Sequence, residues 1–349
     1  MRELTIKNLV VNDASEPFVI AEIGNNHGGD LDVCKQMIKA AAESGASAVK
    51  LQKRHNQTLY TKSMLAKEYD NPNSYGPTYG EHREFLEMGI DHYPELIRYS
   101  EELGVIFFST AFDFISANQL NEVGVPAFKM ASGDLKSIPL LKHVARFGKP
   151  MIISTGGATL EQVREAYEAI MPINKQLAIL QCTAGYPPKF EELNLKVIET
   201  YRKEFPDCVV GYSGHDSGIA MALASYMLGA RVIEKHFTLN RAWKGTDHAF
   251  SLEPQGMRKM IRDLSRARVA MGNGIKDTYE CEKAPILKMG KKIVFNKSLK
   301  AGHIVEEADL ALKTPADGLE PKHWESLIGK KLNRDIGEEE NLLLDFFES

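Results

Sequence analysis

The chain has 349 residues, 43% hydrophobic and 26% charged, with 43 Lys and Arg against 47 Asp and Glu for a formal net charge of −4. That balance excludes a sequence-wide electrostatic affinity for nucleic acid or membrane surfaces, and at roughly 150 residues per domain the length calls for about two domains, or one large α/β domain with an appendage. No apolar stretch approaches the roughly 18 to 20 residues of a membrane span, and MRELTIKNLVVNDASE lacks the basic and apolar regions of a signal peptide, so a cytoplasmic protein is expected.

In chain order, β-branched or apolar runs fall at 18–24, 47–53, 105–110, 127–132, 150–156, 177–183, 208–214 and 231–239. Between them lie stretches with helical periodicity, such as LDVCKQMIKAAAESG, YPELIRYSEELG, SIPLLKHVARFG, TLEQVREAYEAIM and GIAMALASYMLG, and PQGMRKMIRDLSRARVAMG follows the eighth run. Several end in a glycine suited to the left-handed C-cap. Strict alternation implies parallel strands with right-handed crossovers, and eight such units in about 270 residues fit a closed (β/α)8 TIM barrel better than the alternative, an open doubly wound sheet.

Residues 54–91 are too long for a turn between the second strand and its helix, and their tyrosines, histidines and mixed charges predict an ordered lid. Arg54, His55, Lys62, Lys67, His82 and Arg83 carry enough positive charge there for a sugar phosphate; the alternative is surface pairing with Glu68, Asp70, Glu81 and Glu84. After about residue 273 the rhythm breaks. The expected division is a barrel over 1–272, a linker over 273–290 and a small turn-rich domain over 291–349, too small to hold much core alone. Cys34, Cys182, Cys208 and Cys281 are too scattered for a CxxC pair or a disulfide framework and read as reduced, mostly buried thiols.

A (β/α)8 barrel builds its active site at the C-terminal strand ends. Polar residues fall at that rim on every strand: Glu22 with Asn25, Asn26 and His27; Lys50 and Gln52, which share a face; Thr110; Lys129 and Ser132; Ser154 and Thr155; Thr183 leading to Tyr186; Ser213 and His215; and Glu234 with His236. Any one of these, taken singly, is more often a turn cap or a structural hydrogen-bonding group. Together they carry chemistry. His215 and His236, on neighbouring strands, suit a divalent ion such as Mn²⁺ with open positions, with Glu234 and Asp247 as candidates for holding water beside it. Lys50 and Lys129 point two ammonium groups into the barrel mouth, where desolvation is costly without an anion, and Thr110, Ser132, Ser154 and Ser213 add neutral donors. The sum describes a pocket for a small, doubly anionic ligand beside a metal.

The segments AEIGNNHGGDLDVCKQMI, SAVKLQK, SYGPTYGEHREFLE, FKMASGD, MIISTGG, LQCTAGYP, GYSGHDSGIA, RVIEKHFTL and WKGTDHAFSLEP closely resemble the sialic acid synthase family, and residues 291–349 resemble its antifreeze-like (SAF) domain. The resemblance covers nearly the whole chain in order, with TYGEH and WKGTDHAFSLEP most like the animal-type branch acting on N-acetylmannosamine 6-phosphate. It implies condensation of phosphoenolpyruvate with the open-chain aldehyde of an N-acylmannosamine, giving a nine-carbon 2-keto acid and phosphate. It further implies Mn²⁺ on His215 and His236, with Mg²⁺ or Co²⁺ as alternatives; a phosphoenolpyruvate pocket of Lys50, Thr110, Lys129, Ser132, Ser154 and Ser213; Gln52, Tyr186 and Asp247 facing the sugar; and Glu22 as acid/base. A domain-swapped homodimer is implied too.

Two departures stand out. Ala184 replaces an Asn frequent in bacterial members, so that one phosphoenolpyruvate contact is expected either to be absent or to be replaced by Gln181 or a backbone amide, and Thr314 stands where some bacterial members send an Arg onto the acylamino group. Competing readings are a conventional aldolase or a synthase of legionaminic or pseudaminic acid, and, from another class, a non-catalytic carbohydrate- or ice-binding protein. A Schiff-base aldolase would need a neutral lysine, whereas Lys50 and Lys129 read as anion clamps. The charged small domain is a poor ice-binding surface.

Overall fold

A computed structural model describes residues 2–348, which divide into two compact units over 2–272 and 273–348. The first opens with an antiparallel hairpin, β1 (Glu3–Ile6) and β2 (Leu9–Asn12), that the sequence reading did not anticipate. A closed parallel barrel follows: β3 (Phe18–Gly24), β4 (Ala48–Lys53), β5 (Ile106–Ala111), β6 (Phe128–Met130), β7 (Met151–Ser154), β8 (Leu177–Cys182), β9 (Val209–Gly214) and β10 (Val232–His236), with β10 closing on β3. The open-sheet alternative is thereby excluded.

These strands are buried along their length apart from Gln52, because helices cover the outside while side chains fill the inside. Helix starts follow from local chemistry. Asp30 and Asp113 accept from Val33 and Ser116 backbone N–H groups, and Thr159 with Gln162 forms a capping box.

Parallel register assembles the site. It sets Glu22 opposite Lys50 and His236, Thr110 opposite Gln52 and Lys129, and Ser213 opposite Glu234, so side chains distant in sequence stand on adjacent strands about 4.8 Å apart. Between Glu22 and Gly24 the register shifts, and Gly24 has φ +56; a Cβ there would approach Glu22 Oε1 and Gln52 Nε2 at 3.1 Å.

The segment 54–91 is ordered, as expected, into short helices at Asn56–Leu59, Lys62–Leu65 and Tyr79–Leu86, the last with a Thr78/Glu81 capping box. Lys53 pairs with Glu87 at 2.6 Å at the lid's base, while Asn73 accepts from the Gly245 N–H at 3.2 Å and Tyr75 donates to the Lys244 carbonyl.

The second unit pairs β11 (Lys292–Phe295) with β12 (Leu310–Lys313) and has its own core, including Ile293, Phe295, Leu310, Leu332, Ile336 and Phe347, more than the sequence expectation allowed. Residues 280–289, read from sequence as linker, form a helix. Among the described residues no helix is long and apolar enough to cross a membrane. Cys34, Cys182 and Cys208 are buried free thiols, and Cys281 is an exposed one.

Candidate active site

The C-terminal ends of the barrel strands open into a cavity of about 680 Å³, within the range of small-molecule sites. All thirteen residues singled out from sequence as catalytic, phosphoenolpyruvate-binding, sugar-binding or metal-associated line it: Glu22, Lys50, Gln52, Thr110, Lys129, Ser132, Ser154, Tyr186, Ser213, His215, Glu234, His236 and Asp247.

Its floor is a set of buried ion pairs. Lys50 (2% exposed) contacts Glu22 and donates to Thr110 Oγ1 at 2.6 Å; Gln52 Nε2 donates to Glu22 Oε1 at 2.7 Å. Lys129 (3% exposed) donates to Ser154 Oγ at 2.6 Å and lies 3.5 Å from Glu234 Oε1, which accepts from Ser213 Oγ at 3.0 Å. The two carboxyls differ in their proton affinity. Burial pushes Glu22 up despite Lys50, with Glu234 adding to the rise. Burial would also raise Glu234, but Lys129 and Lys50 outweigh it and hold that carboxyl at about 2. Burial pulls Lys129 down against the attraction of Glu234.

Above the floor, the His215 and His236 rings have centroids 5.3 Å apart. His215 Nδ1 lies 2.9 Å from the Thr183 carbonyl oxygen, which can only accept, so Nδ1 is the donor and Nε2 is the nitrogen left for a ligand. His236 Nδ1 is buried without a hydrogen-bond partner, 3.6 Å from Asp247 Oδ2, and burial holds its ring below the usual imidazole range, hence neutral at pH 7. Two imidazoles side by side, one with an unpartnered buried nitrogen, fit a divalent cation. No group of three His, Cys, Asp or Glu able to hold a metal occurs among the described residues, so further positions would fall to water or substrate. Tyr186 packs on His215 at 4.2 Å between centroids, and Phe250 on His236 at 5.0 Å.

Several rim residues named from sequence lie elsewhere. Asn26 turns inward to the Phe237 carbonyl and Ser251, and the buried His27 accepts from the Gly29 N–H. Thr155 donates to the Leu180 carbonyl and Thr183 to the Glu192 carbonyl. Gln181 does not replace the missing Asn: its amide donates to the Leu193 carbonyl outside the cavity, while Ala184 lines the cavity as a methyl. There the chain comes close: a Cβ on Gly156 would meet Ser132 Oγ at 2.9 Å and the Ala184 nitrogen at 3.0 Å. Thr314 is an exposed residue of the second unit.

Asn73, Phe112 and Thr246 join the lining without any sequence signal, and Arg54 and Arg83 join it from the lid. Neither arginine makes an ion pair with Glu68, Asp70, Glu81 or Glu84, the alternative read from sequence. Arg54 donates to Gln52 and lies over Phe112, Arg83 donates to Tyr79, and Glu81 caps its own helix.

Comparison with known proteins bears on this geometry. The NeuB family model matches residues 37–276 and the SAF domain model residues 292–348. The chain is 40% identical to N-acetylneuraminate-9-phosphate synthase of Homo sapiens over 93% of this chain and 91% of that protein. It is 36% identical to N,N'-diacetyllegionaminic acid synthase of Campylobacter jejuni over 93% of this chain and 98% of that protein. Among solved structures, N-acetylneuraminic acid synthetase from Leptospira borgpetersenii in complex with citrate aligns with a TM-score of 0.71 at 30% identity, covering 82% of this chain and 95% of that one.

Proposed function

From the premise that the chain belongs to the NeuB family, the sialic acid synthases, we propose that it condenses phosphoenolpyruvate with an N-acylmannosamine, free or as its 6-phosphate, to give a nine-carbon 2-keto acid and phosphate. It is an enzyme of that type, a phosphoenolpyruvate-dependent transferase that forms a C–C bond.

One observation carries the substrate reading. Two buried ammonium groups, Lys50 and Lys129, stand among hydroxyls in the same cavity as two imidazoles. Buried cations of this kind are stable when an anion shares their site, and here Glu22 and Glu234 hold them until a phosphate and carboxylate enter. Lys50, Thr110, Lys129, Ser132, Ser154 and Ser213 would bind phosphoenolpyruvate, while Gln52, Tyr186 and Asp247 orient the sugar. His215 and His236 would hold Mn²⁺, which when bound supplies Lewis-acid polarisation of the sugar aldehyde.

In the reaction, C3 of phosphoenolpyruvate forms a bond to the aldehyde carbon, whose oxygen takes up a proton to become a hydroxyl. C2 is left oxocarbenium-like; water adds to it, and cleavage of the C2–O bond expels phosphate and leaves the ketone. Glu22, whose proton affinity burial raises, would take the proton from that water.

Phosphate release from phosphoenolpyruvate in the presence of Mn²⁺, assayed with N-acetylmannosamine, its 6-phosphate and a diacetamido sugar in turn, tests the proposal. Release with one of the first two supports it, release only with the diacetamido sugar moves the acceptor to a legionaminic or pseudaminic precursor, and release with none refutes it.

A further inference from the structure

The cavity's cations divide into two groups. On the floor, Lys50 and Lys129 each have a carboxylate, Glu22 and Glu234; Lys53, outside the lining, has Glu87 at 2.6 Å. On the lid side, Arg54 and Arg83 line the same cavity and take part in no ion pair within 4.0 Å among the described residues. Arg54 is 6% exposed; Nη2 donates to Gln52 Oε1 at 2.7 Å, the guanidinium lies 3.7 Å over the Phe112 ring, and Nη1 is buried with no partner. Arg83 is half-buried, its Nε held by Tyr79 OH at 3.0 Å one helical turn back. A guanidinium sealed from water with a donor unused, as in Arg54, is destabilising unless an anion joins it, and Arg83 borders the same cavity.

Asp247 is the one lining carboxylate left over from the floor pairs, and it sits 3.6 Å from His236 rather than on either arginine. We propose that Arg54 and Arg83 form an anion subsite that takes a phosphate monoester at the end of the acceptor sugar remote from its aldehyde. A phosphate monoester offers nearly two negative charges and three acceptor oxygens to forked donors. The position suits the remote end. Gln52 joins the two regions, its Nε2 on Glu22 and its Oε1 on Arg54, so the subsite lies one side-chain amide away from the carboxyl at the reacting centre, a span within reach of an extended six-carbon sugar.

This inference rests on the condensation proposed above, and the test separates the two. Initial rates are measured with saturating phosphoenolpyruvate and Mn²⁺ for N-acetylmannosamine and its 6-phosphate, in the wild type, Arg83→Gln and Arg54→Lys. The wild type is expected to prefer the phosphorylated sugar in kcat/KM. Arg83→Gln is expected to reduce that preference about 10- to 100-fold, the size of a lost charge-assisted hydrogen bond, with the KM for phosphoenolpyruvate within about twofold of wild type. Arg83 is partly exposed, so this variant keeps the test open if Arg54→Lys disturbs folding. Equal use of both sugars by the wild type overturns the subsite while leaving condensation standing, as does an Arg83→Gln defect confined to phosphoenolpyruvate. No condensation with either sugar overturns both readings.

Discussion

Replacing Glu234 by Gln removes one charge from the buried floor and keeps its shape and its bond from Ser213. With Lys129 Nζ 3.5 Å from Glu234 Oε1, an effective dielectric near 20 gives an attraction of about 5 kcal/mol. Holding the carboxyl at about 2 instead of its ordinary 4.5 corresponds to about 3 kcal/mol. The lower figure is the better guide, because burial already pulls Lys129 toward its neutral form and an abandoned Lys129 sheds its proton more readily. Urea unfolding of the ligand-free protein at pH 7, followed by circular dichroism, should therefore show Glu234→Gln about 3 kcal/mol less stable. A lowered carboxyl stabilises the fold above the unfolded value and loses that contribution as pH falls through the folded one, so the difference between wild type and variant should shrink from about pH 4.5 to about pH 2. Phosphoenolpyruvate should protect the variant more than the wild type, since Lys129 is then free for phosphate. A difference below about 1 kcal/mol at pH 7, or one unchanged down to pH 2, would refute the reasoning.

Glu22→Gln should slow phosphate release by about 10² to 10⁴-fold with the fold intact. Because burial raises the Glu22 carboxyl, wild-type kcat should fall with a midpoint above 4.5 as pH drops, and the variant should lose that limb; near-normal release would remove Glu22 from the chemistry. Chelation should abolish activity and added Mn²⁺ restore it, with His236→Ala requiring a higher metal concentration, read by isothermal titration with Mn²⁺ as well as by rate. Equal Mn²⁺ affinity in His236→Ala would place the metal elsewhere.

The barrel is legible in the sequence because each strand is a short apolar or β-branched run set off by polar and glycine-containing turns, and parallel strands buried on both faces leave such runs unbroken. The floor of the site follows from period two: Lys50 and Gln52 share a face, as do Glu234 and His236, and closure of the barrel does the rest. What escaped lies where periodicity is silent. The hairpin at β1 and β2 is two four-residue strands joined through Lys7 at φ 53, too short to register as a pattern. Residues 280–289 carry Pro285 within a helix, which reads as a break. Thr155 and Gln181 sit at strand ends, yet their hydrogen bonds go to the Leu180 and Leu193 carbonyls, a choice that depends on neighbours distant in sequence. The arginines of the lid were visible as charge, but only the folded lid separates Arg54 and Arg83, turned into the cavity, from Lys62 and Lys67, which stay exposed.

The most direct measurement follows one oxygen. Phosphoenolpyruvate labelled with ¹⁸O at the atom bridging C2 and phosphorus is incubated with the enzyme, Mn²⁺ and an N-acylmannosamine or its 6-phosphate, and phosphate and product are weighed by mass spectrometry. Condensation over the Lys50 and Lys129 floor with water addition at C2 predicts that the label leaves in the phosphate and that a nine-carbon 2-keto acid forms in equal amount. Label retained in the keto acid, or phosphate released without a new C–C bond, would contradict it.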